Sequence, residues 1–194
     1  MTIAQLSEVN PSFTEGLLVT RAALEFALER HAGQLRGDQY TPFVQHPLEV
    51  ASLLSLAGYE DAVVASGVLH DVLENTYTDV GELEDLFGKN VAALVQAVSE
   101  DVSITHDQAR KSALRAQVAR SSAQAAAIFA ADKVSKVREL RARLSYGLSP
   151  EAADHKVDHY EASHAMLEQR LGERNALVRQ LRFELEMLRM LQTA

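Results

Sequence analysis

An all-α, single-domain fold is predicted for this chain of 194 residues, on three observations. Apolar residues recur at helical spacings nearly throughout. Proline opens and glycine closes several of the apolar stretches, the order in which helices use them. No segment alternates apolar and polar residues as a half-buried strand would. There is no internal repeat, low-complexity linker or composition shift. Residues 1–194 therefore read as one unit, long enough to bury about 70% of its unfolded surface.

Residues 19–35 form the first predicted helix, with Val19, Ala22, Leu24, Phe26, Ala27 and Leu35 spaced for a buried face. The polar run Arg36-Gly37-Asp38-Gln39-Tyr40-Thr41-Pro42 breaks it. Pro47 starts the next helix and Gly58 ends it. A third covers about residues 60–73. It carries Ala62, Val63, Val64, Ala65, Val68 and Leu69 with little charge, which marks it as central and buried. Thr78 is the expected N-cap of a short helix ending at Gly88, and another helix follows over about 89–98. Ser103-Ile104-Thr105 leads into a polar helix at about 106–120. An Ala-rich helix over 123–143 turns Ile128, Phe129, Val134 and Val137 inward. Ser149-Pro150-Glu151 starts a helix that Gly172 stops, and the last helix covers about 173–192.

Composition narrows the function classes. The chain has no cysteine, which excludes a disulfide framework and a thiolate metal site and suits a reducing compartment. Residues 1–20 hold no basic region followed by an apolar stretch, so no signal peptide is expected. No run approaches the ~20 apolar residues that span a bilayer. A cytoplasmic protein without membrane partners is the expectation. The net charge of −8 argues against a nucleic-acid partner. The basic run Lys133, Lys136, Arg138, Arg141 and Arg143 spreads around a helix instead of forming one face. A small anionic ligand needs only a local basic pocket.

Four residues carry the chemistry: His46, the adjacent pair His70-Asp71, and Asp132. Imidazole and carboxylate together suit a borderline-hard divalent ion such as Mn²⁺, Fe²⁺ or Zn²⁺. Phosphate-ester hydrolysis uses such an ion to neutralise phosphoryl charge and to lower the pKa of a water. Adjacent helical residues diverge by about 100°, so His70 and Asp71 reach one ion only at a helix end or in a cleft. Asp132 follows Ala-Ala-Ala-Ile-Phe-Ala-Ala, a context that buries it, and a buried carboxylate must be paired or metal-bound. Singly, His46 reads as a helix-start residue, His70 as a core histidine and Asp132 as an intrahelical partner of Lys136. Together, in this order and these contexts, they read as a metal site.

The surrounding segments resemble a known family. Gln34-Leu35-Arg36-Gly37-Asp38 and Thr41-Pro42-Phe43-Val44-Gln45-His46-Pro47-Leu48-Glu49-Val50-Ala51 resemble the opening of the RelA/SpoT-type guanosine-3′,5′-bispyrophosphate (ppGpp) hydrolase domain. Val68-Leu69-His70-Asp71-Val72-Leu73-Glu74-Asn75-Thr76 resembles its metal motif. Leu86-Phe87-Gly88-Lys89-Asn90-Val91 resembles the helix that follows, and Ala130-Ala131-Asp132-Lys133-Val134-Ser135-Lys136-Val137-Arg138-Glu139-Leu140 its second metal motif. The similarity runs from about residue 20 to 170, closest to the small single-domain alarmone hydrolases. It implies an HD-domain helical bundle, one Mn²⁺ on His46, His70, Asp71 and Asp132, and Glu74 as catalytic acid. It implies removal of the 3′-pyrophosphate from ppGpp or a related nucleotide. Three positions depart from the family pattern. Asn75 replaces an acid, Lys136 replaces an asparagine, and Gly37 stands where lysine is common. They leave open an HD hydrolase of another nucleotide, or a non-catalytic sensor, though intact metal and acid positions argue against the sensor.

Among the remaining residues, Asn75 sits at the catalytic position, and Arg36, Lys133, Lys136 and Tyr160 are the candidate substrate contacts. His155 and His159 have helical metal-pair spacing, but their charged neighbours indicate a solvated face. His31 reads as a helix C-cap or a site residue. Leu177, Leu181, Leu185 and Leu188 form a stripe on the last helix, expected to pack within the monomer or to serve as a homodimer seam.

Overall fold

The computed structural model describes residues 12–192, apart from the side chains of 150–155. The leader reading at residues 1–20 therefore falls mostly outside the described residues. After a 3-10 turn at Ser12–Thr14, the helices in order are α1 (Leu18–Arg30), α2 (Gln45–Leu56), α3 (Asp61–Leu69), α4 (Val72–Asn75), α5 (Val80–Val98), α6 (Asp107–Arg120), α7 (Ala123–Ser145), α8 (Pro150–Leu171) and α9 (Ala176–Gln192). Among the described residues there is no strand, only an isolated bridge between Leu35 and Pro42. Among the described residues no helix is long and apolar enough to cross a membrane.

Two helices make the centre. Every residue of α3 from Val63 to Leu69 is buried, and α3 packs against α1, α2, α5 and α7. Gly67 lets α2 and α3 approach closely, since a Cβ there would run into Leu54 Cδ1. Helix α7 begins at Ser122, whose hydroxyl oxygen accepts the Ala125 N–H at 3.1 Å. It is buried without interruption from Ala125 to Ser135 and contacts α2, α3, α5, α6, α8 and α9. A helix surrounded on all sides holds whatever polar group it carries in a fixed place. On α9 the stripe Leu177, Leu181, Leu185 and Leu188 is buried against the rest of the chain, where α9 packs on α7 and α8. The stripe is an intramolecular face.

Several boundaries differ from expectation for local reasons. Helix α1 stops at Arg30 rather than residue 35, because the chain turns at Gly33, whose φ of 78° is left-handed. Leu35, expected on the buried face, sits in the loop and is half exposed. The predicted third helix breaks at His70 and Asp71 into α3 and the single turn of α4. Asp79, not Thr78, caps α5 by accepting the Glu82 N–H. Gly88, with φ 83° and ψ 161°, splits α5 where two helices were expected to meet.

Candidate metal centre

Three elements bring the site together. His46 lies in the first turn of α2, His70 and Asp71 end α3, and Asp132 comes from the fully buried stretch of α7. The break after Leu69 lets two adjacent side chains converge, as their spacing required. His46 Nε2 is 3.1 Å from His70 Nε2, 3.2 Å from Asp132 Oδ1 and 3.4 Å from Asp71 Oδ2. His70 Nε2 is 3.2 Å from Asp71 Oδ2 and 3.6 Å from Asp132 Oδ1. Ligand atoms of His46, His70 and Asp132 all fall within 4.8 Å of one another, as a metal site requires. All four residues are buried.

The far side of each ring is held. Ser135 Oγ donates to Glu49 Oε2 at 2.6 Å, so it accepts from His46 Nδ1 at 2.8 Å. His70 Nδ1 donates to the Gly67 carbonyl at 2.8 Å. With both rings neutral, these bonds leave the two Nε2 lone pairs facing each other beside two carboxylates. Such an arrangement is unfavourable without a cation between the four groups, and an outer shell that fixes the ring tautomer is the usual support for metal-binding histidine. The donor set fits a divalent ion. The titration behaviour says the same. Burial works against charge on His70, but Asp71 and Asp132 outweigh it and raise its pKa to about 10. Burial holds His46 below its ordinary value despite the same carboxylates. The two carboxylates thus call for positive charge at this point. Asp71 is itself held low, because His70 and Lys136 outweigh burial.

Two lysines flank Asp132. Lys133 donates to Oδ2 at 2.7 Å, and its ammonium lies 4.2 Å from the Phe129 ring centroid. Its side chain is 5% exposed, so it stands behind the carboxylate instead of in the cleft where a substrate contact was expected. Lys136 Nζ is 2.9 Å from Oδ1, the oxygen facing the imidazoles, and its side chain is 36% exposed. Lys136 also borders the cleft. It lines one pocket with Arg36, Phe43 and His46, and an adjoining one with Arg143, Lys156 and Tyr160. Arg36 lines the first of these pockets, with its guanidinium on Glu139 Oε2 at 2.6 and 3.1 Å. Tyr160 is buried, which raises its pKa to about 12.

Glu74 follows on α4, with Oε1 accepting the Glu100 N–H at 2.7 Å. Burial, and then the charge of Asp71, push its pKa up to about 7. A carboxyl poised there suits proton transfer near neutrality. Asn75 is exposed, and its carbonyl accepts from Gln34 Nε2 at 2.8 Å.

Among the described residues, no other histidine joins this group of converging ligand atoms. His159 is buried, not solvated, with Nδ1 2.6 Å from Arg115 Nη1; burial and nearby cations take its pKa to about 3. The side chain of His155 lies outside the described residues. His31 is the C-cap residue of α1, bonded to Gln34 and packed on Phe43. Sequence reasoning missed Ser135 and Glu49 behind His46, and Arg143 and Lys156 in the cleft. Lys136 and Arg143 are seven residues apart, two turns along one face, which was a readable signal.

Comparison with known proteins agrees with this geometry. Residues 23–172 match the HD domain family. The guanosine-3′,5′-bis(diphosphate) 3′-pyrophosphohydrolase MESH1 of Drosophila melanogaster is 34% identical over 77% of this chain and 89% of its own length. Human MESH1 is 36% identical over 71% of this chain and 76% of its own. The solved structure of a metazoan SpoT ortholog that hydrolyses ppGpp superposes with a TM-score of 0.76, at 29% identity, over 89% of this chain and 95% of that one. The helical frame, the converged His46, His70 and Asp132, and these matches over most of the chain leave one assignment: this protein belongs to the HD domain family.

Proposed function

We propose that this chain is a metal-dependent 3′-pyrophosphohydrolase of ppGpp or a closely related nucleotide, with one Mn²⁺ held by His46, His70, Asp71 and Asp132. The single observation that carries the reading is the opposed Nε2 atoms of His46 and His70, 3.1 Å apart between buried carboxylates. The likeness to pyrophosphohydrolases over most of both chains supports the substrate class. A divalent ion there supplies a water of lowered pKa and neutralises charge on the phosphoryl oxygens.

The chain's own residues do the rest. Gly67 O and Ser135 Oγ hold the imidazoles in the tautomers that present Nε2. Glu74, with its pKa near 7, exchanges a proton with water or leaving group beside Asp71. Asn75, next to it, offers an amide and no proton acceptor. Arg36, Lys136 and Tyr160 border the cleft as substrate contacts, and Lys133 acts through Asp132.

Lys136 makes a specific difference to metal binding. Its ammonium occupies the Asp132 oxygen that faces the imidazoles, so it competes with an incoming cation. Lys136→Asn is expected to tighten Mn²⁺ binding by about 10- to 100-fold, measured by calorimetry. Unchanged affinity would mean that the lysine swings clear at no cost.

The reaction is tested with a nucleotide panel and Mn²⁺, resolving pyrophosphate from orthophosphate. Pyrophosphate released from ppGpp supports the reading. Orthophosphate alone, or turnover confined to nucleotides without a 3′-diphosphate, would replace it with an HD hydrolase of another ester. Binding of nucleotide with no turnover of any would leave a sensor.

A further inference from the structure

Gly37 lies in the loop between α1 and α2, and its backbone does not demand glycine, since its φ is not among the left-handed ones. What glycine provides there is space. A Cβ would stand 3.2 Å from Nη1 of Arg143 and 3.8 Å from its Cζ. The guanidinium of Arg143, from the last turn of α7, occupies the volume that a side chain at position 37 would fill.

The Arg143 side chain is half-buried and, among the described residues, makes no hydrogen bond or ion pair. The carboxylate one turn before it, Glu139, is engaged by Arg36. Arg143 shares a pocket with Lys136 and Lys156. Lys156 has its pKa lowered by burial and then by the charge of Arg143. Lys136 has a partner in Asp132; the other two cations have no ion pair among the described residues. In a chain of net charge −8, three cations converging on one pocket, whose lining carboxylate Glu139 is engaged by Arg36, are a cost unless an anion enters.

Position along α7 says which anion. Arg143 is eleven residues beyond Asp132, about 16 Å of helix. Helical side chains lean towards the N-terminus, so the guanidinium stands roughly 10 Å from the metal ligands. That is too far for the phosphoryl group under attack, and within the span of a nucleotide phosphorylated at both its 3′ and 5′ oxygens.

We propose that Arg143 binds the 5′-phosphate groups of a nucleotide whose 3′-diphosphate lies at the metal ligands, and that Gly37 provides the space for its guanidinium. This rests on the pyrophosphohydrolase reading above. The consequence is a specificity determinant for the 5′ end, distinct from the groups that act on the 3′ end.

The test compares the unmodified protein, Arg143→Gln, Arg143→Lys and the double variant Arg143→Gln with Gly37→Lys. Each is assayed with ppGpp and with guanosine 3′-diphosphate bearing a free 5′-hydroxyl. Arg143→Gln is expected to raise KM for ppGpp about tenfold with kcat changed less than about twofold. KM for the 5′-hydroxyl substrate stays the same. Arg143→Lys keeps most of the affinity, and the double variant recovers most of the loss, because a lysine at 37 returns charge to the same volume. An unchanged KM for ppGpp, an equal rise for both substrates, or no recovery in the double variant overturns the proposal. If the unmodified protein turns over neither substrate, the pyrophosphohydrolase reading has failed. Binding of inorganic pyrophosphate by calorimetry then decides the anion site separately: weaker binding in Arg143→Gln supports it, and equal binding overturns it.

Discussion

Glu74→Gln is expected to lower kcat by about 10²- to 10⁴-fold while leaving the metal content nearly unchanged. Glutamine keeps the shape of the side chain and can still accept the Glu100 N–H that holds Oε1 at 2.7 Å. What it loses is the proton. The pKa of about 7 has burial as its main cause and Asp71 as the second, so both forms of the carboxyl are populated near neutrality. The same shift has a stability consequence in the metal-free protein. The folded pKa is raised above the ordinary 4.5, so Glu74 favours folding fully below that value, and the contribution is lost as pH rises through about 7. Urea midpoints of the unmodified protein should therefore fall across that window more than those of Glu74→Gln. Lost metal with normal turnover per bound ion would instead make Glu74 a ligand.

Asp132→Ala is expected to fail twice, in metal binding and in folding. Its Oδ1 faces both imidazoles, and its Oδ2 is the partner of Lys133. Removing the carboxylate leaves an ammonium buried with a side-chain exposure of 5%. Breaking a buried pair from one side costs roughly 3–5 kcal/mol. Burial already lowers the Lys133 pKa against the pull of Asp132. Without Asp132 the lysine sheds its proton more readily, so the stability loss should shrink as pH rises. Chemical denaturation near pH 7 and near pH 9 measures both effects. A variant that loses the ion yet unfolds at the unmodified protein's denaturant concentration would show that Lys133 finds another partner.

The contrast between Asp132 and its neighbours shows how far the sequence could be read. An aspartate after seven apolar residues announces its burial, because a helix without a polar face has nowhere to expose it. Likewise, two adjacent candidate ligands, His70 and Asp71, demanded a helix end, and α3 stops there. Lys133 follows the same aspartate one turn after Phe129, yet its burial depends on the helices packed around α7, which no local pattern reports. His159 was misread because Asp158 and Lys156 beside it suggest solvent, while Arg115, which meets its ring, lies on α6. The end of α1 was set by Gly33 and not by apolar spacing, which would have carried the helix to Leu35. The opposition of Gly37 and Arg143 joins a loop to the end of α7, over a hundred residues on, and only the fold brings it into view.

The stoichiometry of Mn²⁺ binding to the unmodified protein and to Asp71→Ala tests the central claim most directly. Asp71 Oδ2 lies 3.2 and 3.4 Å from the two Nε2 atoms, so it belongs to the same donor set as His46, His70 and Asp132. One ion per chain in the unmodified protein and almost none in the variant is the expected result. Equal binding by both would contradict the account and remove the metal centre on which the proposed hydrolysis depends.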